Sequence, residues 1–222
     1  TAGDLGLLTA STLVLDANLE NLDASATGNN KLNLSGNSLY NRLTGNDADN
    51  ILDGGGLGAD SMAGGGGNDT YIVDNSRDVV IEGSGGGDHD EVRTSATYRL
   101  GNNIENITLT GTGNINGYGN DLGNLLIGND GDNILNGGKG NDTYAGGLGN
   151  DTYVLDTLAE TNITENNGAG TDTIKLYSSE TGSYTLGANI EHLMLIGSGQ
   201  IDVTGNTENN HITGNSKNNI LS

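Results

Sequence analysis

The chain has 222 residues, of which 39 are Gly and 33 Asn, with 32% hydrophobic and 4% aromatic residues and no Trp, Phe, Pro or Cys. An ordinary domain is nearly half apolar, and ordering each backbone unit costs about 1–2 kcal/mol, most for Gly, so an apolar core alone cannot hold this chain. The formal charge of −21 and pI near 4.1 argue against nucleic acid or an anionic membrane as partner, and they match the composition of a disordered chain unless a cation contributes to folding.

Absence of Cys excludes disulfides and thiolate metal sites. Three scattered histidines, His89, His192 and His211, leave zinc without a ligand set, so oxygen ligands for a hard cation remain. No apolar run is long enough to span a membrane, no amino-terminal signal peptide is evident, and the chain begins at Thr1, which reads as a fragment of something larger.

Taken in chain order, residues 1–26 are a connecting segment ending in Leu19-Glu20-Asn21-Leu22, a motif that returns as Ile104-Glu105-Asn106-Ile107 and Ile190-Glu191-His192-Leu193. Residues 27–74 follow as nonapeptide blocks, TGNNKLNLS, GNSLYNRLT, GNDADNILD, GGGLGADSMA and GGGGNDTYI, the fourth carrying one inserted residue. Residues 75–109 hold alternating runs such as EVRTSATYRL and NIENITLTG that predict longer strands. Residues 110–156 repeat the block pattern without a gap: TGTGNINGY, GNDLGNLLI, GNDGDNILN, GGKGNDTYA and GGLGNDTYV. A second long-strand segment, 157–195, precedes the last blocks at 196–222, and the whole reads as one continuous solenoid.

Stacking the blocks gives each position a chemistry. Position 8 is apolar or Tyr, as in Leu34, Leu43, Leu52, Met62 and Tyr71, which predicts one inward side chain per block. Position 6 runs apolar, Asn, Asn, Asp, Asp in both full modules: Leu32, Asn41, Asn50, Asp60, Asp69, then Ile115, Asn124, Asn133, Asp142, Asp151. Positions 1, 2 and 4 are rich in Gly, so six residues make a turn and three a short strand.

GGKGNDTYA, GGLGNDTYV and GGGGNDTYI match G-G-x-G-x-D-x-U-x, and the chain on these residues resembles the RTX (repeats-in-toxin) family of hemolysin-type calcium-binding nonapeptide proteins. The Asn-type blocks depart from that pattern at the second Gly and at the Asp. The resemblance implies an all-β, right-handed parallel β-roll or β-helix solenoid with calcium between stacked turns, two blocks per turn and residues 18 apart one above the other. On that frame Asn41 pairs with Asp60, Asn50 with Asp69, Asn124 with Asp142 and Asn133 with Asp151, and counting on brings Asp78, Asp88, Glu160 and Asp172 over the four Asp. Implied ligands are therefore these twelve residues with carbonyls of Gly64, Gly66, Gly137, Gly138, Gly140, Gly146, Gly147 and Gly149, holding roughly 4–8 Ca²⁺. Asn at position 6 admits a second reading, an amide ladder that needs no metal. Glu82 and Glu165 follow short apolar runs and either close the last turn or face water.

H-E-x-x-H, G-x-S-x-G and a Walker loop are all absent, so the expectation is a calcium-binding module without catalytic machinery of its own. Proteins with such repeats resemble substrates of type I secretion, which implies a secreted module that folds on extracellular calcium beside other domains of a larger parent chain. The alternative is a carbohydrate-binding or adhesive module facing polysaccharide or a cell surface, as in RTX adhesins, surface-layer proteins or alginate-epimerase-type enzymes. Lys31, Arg42, Lys139 and Lys217 are too sparse to mark a polyanion groove.

Overall fold

A computed structural model describes residues 11–56 and 58–222, so the first ten residues of the connecting segment 1–26 lie outside the described residues. The protein is all-β: short parallel strands stack turn upon turn as a β-solenoid, consistent with a β-roll. Among the described residues the sole helix is one 3-10 turn, Ser25–Thr27, and none is long and apolar enough to cross a membrane.

Two compact units are present, one ending at Val92 and the other covering Arg93–Ser222. The first contains β1 (Ser11–Val14), β2 (Asn21–Asp23), β3 (Leu32–Ser35), β4 (Arg42–Thr44), β5 (Ile51–Asp53), β6 (Ser61–Ala63), β7 (Thr70–Val73), β8 (Val79–Ile81) and the start of β9 (Glu91–Thr94). Odd-numbered strands form one parallel sheet in sequence order and even-numbered strands another, as a chain alternating between two faces must.

The second unit holds β10 (Tyr98–Arg99), β11 (Asn106–Leu109), β12 (Gly117–Tyr118), β13 (Leu125–Ile127), β14 (Ile134–Asn136), β15 (Thr143–Ala145), β16 (Thr152–Leu155), β17 (Asn162–Thr164) and β18 (Thr173–Leu176). After these come β19 (Gly182–Thr185), β20 (His192–Leu195), β21 (Ile201–Thr204) and β22 (His211–Thr213). Here β11, β13, β15 and β17 follow one another in one sheet, the even strands from β10 to β22 in another, and β19 pairs with β21.

Register follows the block length. Leu126 sits over Tyr144, Leu135 over Tyr153 and Leu34 over Leu52, each 18 residues apart. The inserted residue of the fourth block stretches the next step, so Leu43 pairs with Met62 and Leu52 with Tyr71. Between the arrays the steps lengthen again, as from Tyr153 to Ile174, and the additional residues lie in the turns.

Strands β4, β5, β6, β8, β13, β14 and β15 each bury their central side chain and leave the flanking two half-buried or exposed, because a strand alternates faces and one face looks outward. Leu43, Leu52, Met62, Tyr71, Leu126, Leu135, Tyr144 and Tyr153 are fully buried, so position 8 is the core of the solenoid. Tyr144 on β15 and Tyr153 on β16 meet edge to face with ring centroids 5.8 Å apart, showing that the two sheets interdigitate across a one-residue-deep core.

The recurring Leu/Ile-Glu motif of the connecting segments has a backbone cause. Asn18, Asn103 and Asn189, each just before it, are the non-Gly residues with positive φ among the described residues, at 72°, 61° and 60°. Asn tolerates that left-handed conformation better than most side chains, and the chain uses it to turn into the next strand.

With one core side chain per block, each counts heavily. Leu126→Ala is expected to lower stability by about 2–5 kcal/mol, the range for buried Leu truncations, whereas Ile51→Ala on the exposed face should cost well under half of that. Chemical denaturation in excess calcium measures both.

Candidate metal centre

Position 6 decides how each turn is held, and the Asn-type turns hold themselves. Asn124 Oδ1 accepts the N–H of Asn120 at 2.8 Å, and its amide donates to Ile104 O one turn below at 3.0 Å. Asn120, at position 2, adds a second clamp: its amide reaches Gly101 O and Ile104 O at 2.7 and 2.8 Å, while its Oδ1 accepts the N–H of Leu122. Asn129 with Asn133, Asn46 with Asn50 and Asn37 with Asn41 repeat the device, as do Asn206 with Asn210 and Asn215 with Asn219. Amide hydrogens thus gather the carbonyls of the turn beneath, and the side chains of Asn41, Asn50, Asn124 and Asn133 are spent on protein hydrogen bonds.

Where Asp replaces Asn the amide hydrogens vanish. Asp60, Asp69, Asp142 and Asp151 are each at most 1% exposed. One oxygen of each is satisfied by the stacked partner: Asn41, Asn50 and Asn124 donate backbone N–H to Asp60, Asp69 and Asp142 Oδ1 at 2.7 Å, and Asn133 to Asp151 Oδ1 at 2.8 Å. The other oxygen, Oδ2 of all four, is buried without a donor. It lies against the position-1 glycine of its own block, Gly54, Gly64, Gly137 or Gly146, so closely that a β-carbon there would collide with it. Positive φ falls on positions 2 and 4: Gly138 (89°) and Gly140 (126°), Gly147 (108°) and Gly149 (104°), and in the first array Gly65 and Gly67 rather than Gly66.

More carboxylates close over these turns. Asp60 donates its N–H to Asp78 Oδ1 at 2.9 Å, Asp69 to Asp90 Oδ1 at 2.7 Å and Asp151 to Asp172 Oδ1 at 2.8 Å. Glu160, fully buried near Asp142, accepts the N–H groups of Asp156 and Thr157 and the Tyr144 hydroxyl at 3.1 Å. Glu82 and Glu165 point inward rather than to water, each accepting a hydrogen bond from the hydroxyl of a core tyrosine, Tyr71 or Tyr153. Two three-carboxylate clusters result, Asp69 with Glu82 and Asp90, and Asp151 with Glu165 and Asp172, the ligand atoms within each lying within 4.8 Å of one another.

Asp88, expected above Asp69, is displaced. Its side chain is exposed beside His89, and Asp90, two residues on, takes the buried place because the Gly83–Gly87 loop lengthens the step from Asp69 to 21 residues. Asp47, Asp49, Asp130 and Asp132 face water. Sequence comparison of blocks also missed the position-2 Asn, although the recurring Gly-Asn at the start of every Asn-type block was its signal.

The electrostatics are those of acids held away from water. Burial pushes Asp60 and Asp151 up to about 6 and Asp69 up to about 8 from an ordinary 3.8, the stacked N–H donors oppose this, and neighbouring carboxylates add to it. Glu165 rises to about 7 for the same leading reason, and Asp142, Asp78 and Asp172 rise as well. Burial and the adjacent glutamates also hold the Tyr71 and Tyr153 hydroxyls protonated, as donors. Buried oxygens lacking hydrogens, in clusters of oxygen donors alone, suit a hard cation, and the irregular mixture of carboxylates suits calcium better than the strict octahedron of Mg²⁺.

Acids whose folded values are raised contribute stability that is complete below the unfolded value near 4 and is lost as pH rises through about 6–8. Without metal, acidification from pH 8 to pH 5 should therefore increase the folded fraction seen by circular dichroism. With calcium the trend should reverse, since protons compete for the same oxygens. Asp142→Asn should stabilise the metal-free protein by about 1–2 kcal/mol, by removing an unsatisfied buried acceptor, and should lower the number of calcium ions counted by native mass spectrometry.

Comparison with known families agrees with this chemistry. The RTX calcium-binding nonapeptide repeat is found in four copies, within residues 35–71 and 118–153, which hold all four Asp of the buried stacks. No significant match is found among curated proteins or solved structures. Repeat sequence, solenoid fold and oxygen-lined turns agree: residues 35–71 and 118–153, about a third of the chain, match the RTX calcium-binding nonapeptide repeat.

Proposed function

We propose that the chain is a calcium-dependent folding module of a secreted protein, extended where calcium is scarce and assembled as a solenoid where it is abundant. The observation that carries this reading is the set of four buried Oδ2 atoms at position 6, each without a donor, in turns whose Asn counterparts are fully hydrogen-bonded. Calcium would be held by Asp60 with Asp78, Asp69 with Glu82 and Asp90, Asp142 with Glu160, and Asp151 with Glu165 and Asp172, aided by carbonyls of the Gly turns. The Asn residues contribute by orienting the carboxylates through their N–H groups. Bound metal supplies the positive charge that these turns lack.

Physical coupling of binding to folding follows from the charge. A net −21 opposes compaction, and the sites exist only when distant turns have stacked, so binding free energy becomes folding free energy. Extracellular modules hold calcium at about 10⁻⁴–10⁻³ M, far above cytosolic levels, which keeps such a chain threadable before export and folded after it. The module is read as structural, with any catalytic activity belonging to other domains of a parent protein.

Calcium titration followed by far-ultraviolet circular dichroism tests this. The metal-free protein at pH 7.5 should give a coil-like spectrum that converts cooperatively to β structure below about 1 mM calcium, and magnesium at equal concentration should not substitute. A spectrum unchanged by calcium, or already β-rich in chelator, would overturn the reading.

A further inference from the structure

The three histidines are scattered in the sequence, but the fold brings two of them together. His192 on β20 and His211 on β22 are register partners on adjacent parallel strands, one turn apart. Their ring centroids lie 5.6 Å apart with the planes inclined by 50°. Both side chains stand on the outer, solvent-facing side of the sheet: burial along β20 alternates so that Leu193 and Leu195 enter the core while His192 and Met194 face outward, and His211 is exposed. They are two of the only three histidines in the chain; the His192 backbone N–H donates to Asp172 O, but its imidazole stands on the outer face of the sheet whereas the Asp172 carboxylate is buried.

From this juxtaposition we infer that His192 and His211 form a bis-imidazole site for a first-row transition-metal ion of the Zn²⁺ or Cu²⁺ class, separate from the oxygen sites of the repeats. Metal–nitrogen bonds of about 2.0–2.1 Å place two imidazoles on one ion with ring centroids roughly 4.5–6 Å apart, and the observed 5.6 Å lies within that range. The parallel ladder fixes the two backbones at strand spacing, so the entropy of bringing two ligands together has already been spent in folding. Imidazole nitrogen selects these ions over calcium, which takes oxygen, so both classes can be bound at once. Water completes the coordination on the open, solvent-facing side. The large negative charge of the chain raises the local concentration of any dication.

The test uses the full chain loaded with millimolar calcium, which satisfies the carboxylate sites, and titrates Zn²⁺ by calorimetry with a Cu²⁺ electron paramagnetic resonance arm. One ion should bind with micromolar affinity, and the Cu²⁺ spectrum should carry hyperfine structure from two nitrogens. His192→Ala and His211→Ala should each weaken binding about tenfold or more, while His89→Ala leaves it unchanged. Both substitutions are on the outer face, and unchanged circular dichroism in calcium shows that the fold is intact. Undiminished affinity in either variant, a loss in His89→Ala equal to theirs, or a spectrum with one nitrogen or none would overturn the assignment.

Discussion

Everything in this solenoid depends on how the space between stacked turns is filled at position 6. A turn built of glycines at positive φ leaves polar backbone in the interior, and buried polar groups must be matched. An amide matches them from within the chain, because its oxygen takes one N–H and its hydrogens reach the carbonyls one turn down, as at Asn133. A carboxylate of the same shape completes only the first half. Asp151 keeps the bond from Asn133 to its Oδ1 and leaves Oδ2 with no donor, beside two further carboxylates. Exchanging one NH₂ for one O⁻ converts a self-sufficient turn into one that requires a cation.

The energetic scale makes that requirement firm. Two charges about 5 Å apart repel by roughly 3 kcal/mol at an effective dielectric constant near 20, and each three-carboxylate cluster contains three such pairs in addition to the cost of burial. Against this the core offers one side chain per block, each contributing about 1.5–3 kcal/mol when buried. The upward displacement of Asp69, Asp151 and Glu165 expresses the same deficit in protons: without metal, the fold favours the neutral acids. A cation held at these carboxylates would relieve burial and repulsion together, in line with a composition that by itself resembles a disordered chain.

Much of this was legible in the sequence because the repeat is nearly metric. A strict nonapeptide places position 8 inward and stacks residues 18 apart, and Leu126 over Tyr144 follows without further information. What escaped is where the metre breaks or where side chains meet across the roll. Asp88 and Asp90 are both acidic and close in sequence, and only the length of the intervening glycine loop selects Asp90. The inward path of Glu82 depends on the Tyr71 hydroxyl, seven residues past the Gly64 N–H that it accepts at 2.8 Å, a contact no block alignment contains. His192 and His211 looked scattered because they belong to a connecting segment and to the final array, where the step is 19 rather than 18.

The order Asn, Asn, Asp, Asp within each array carries the remaining argument. A solenoid is stabilised by nearest-neighbour interfaces, so a turn can be added only to one already formed. In both arrays the Asn-type turns come first along the chain, and their backbone N–H groups are what orients the carboxylates stacked on them, Asn41 for Asp60 and Asn124 for Asp142. The turns that satisfy their own hydrogen bonds are therefore the template on which the cation-requiring turns are laid. The closing acids Asp78, Asp90, Glu160 and Asp172 belong to the connecting segments beyond, so each Asp turn lies between an amide-held base and a carboxylate lid. Placing the carboxylates of such a turn therefore depends on ordering what lies on both sides of it, which couples neighbouring turns along the stack.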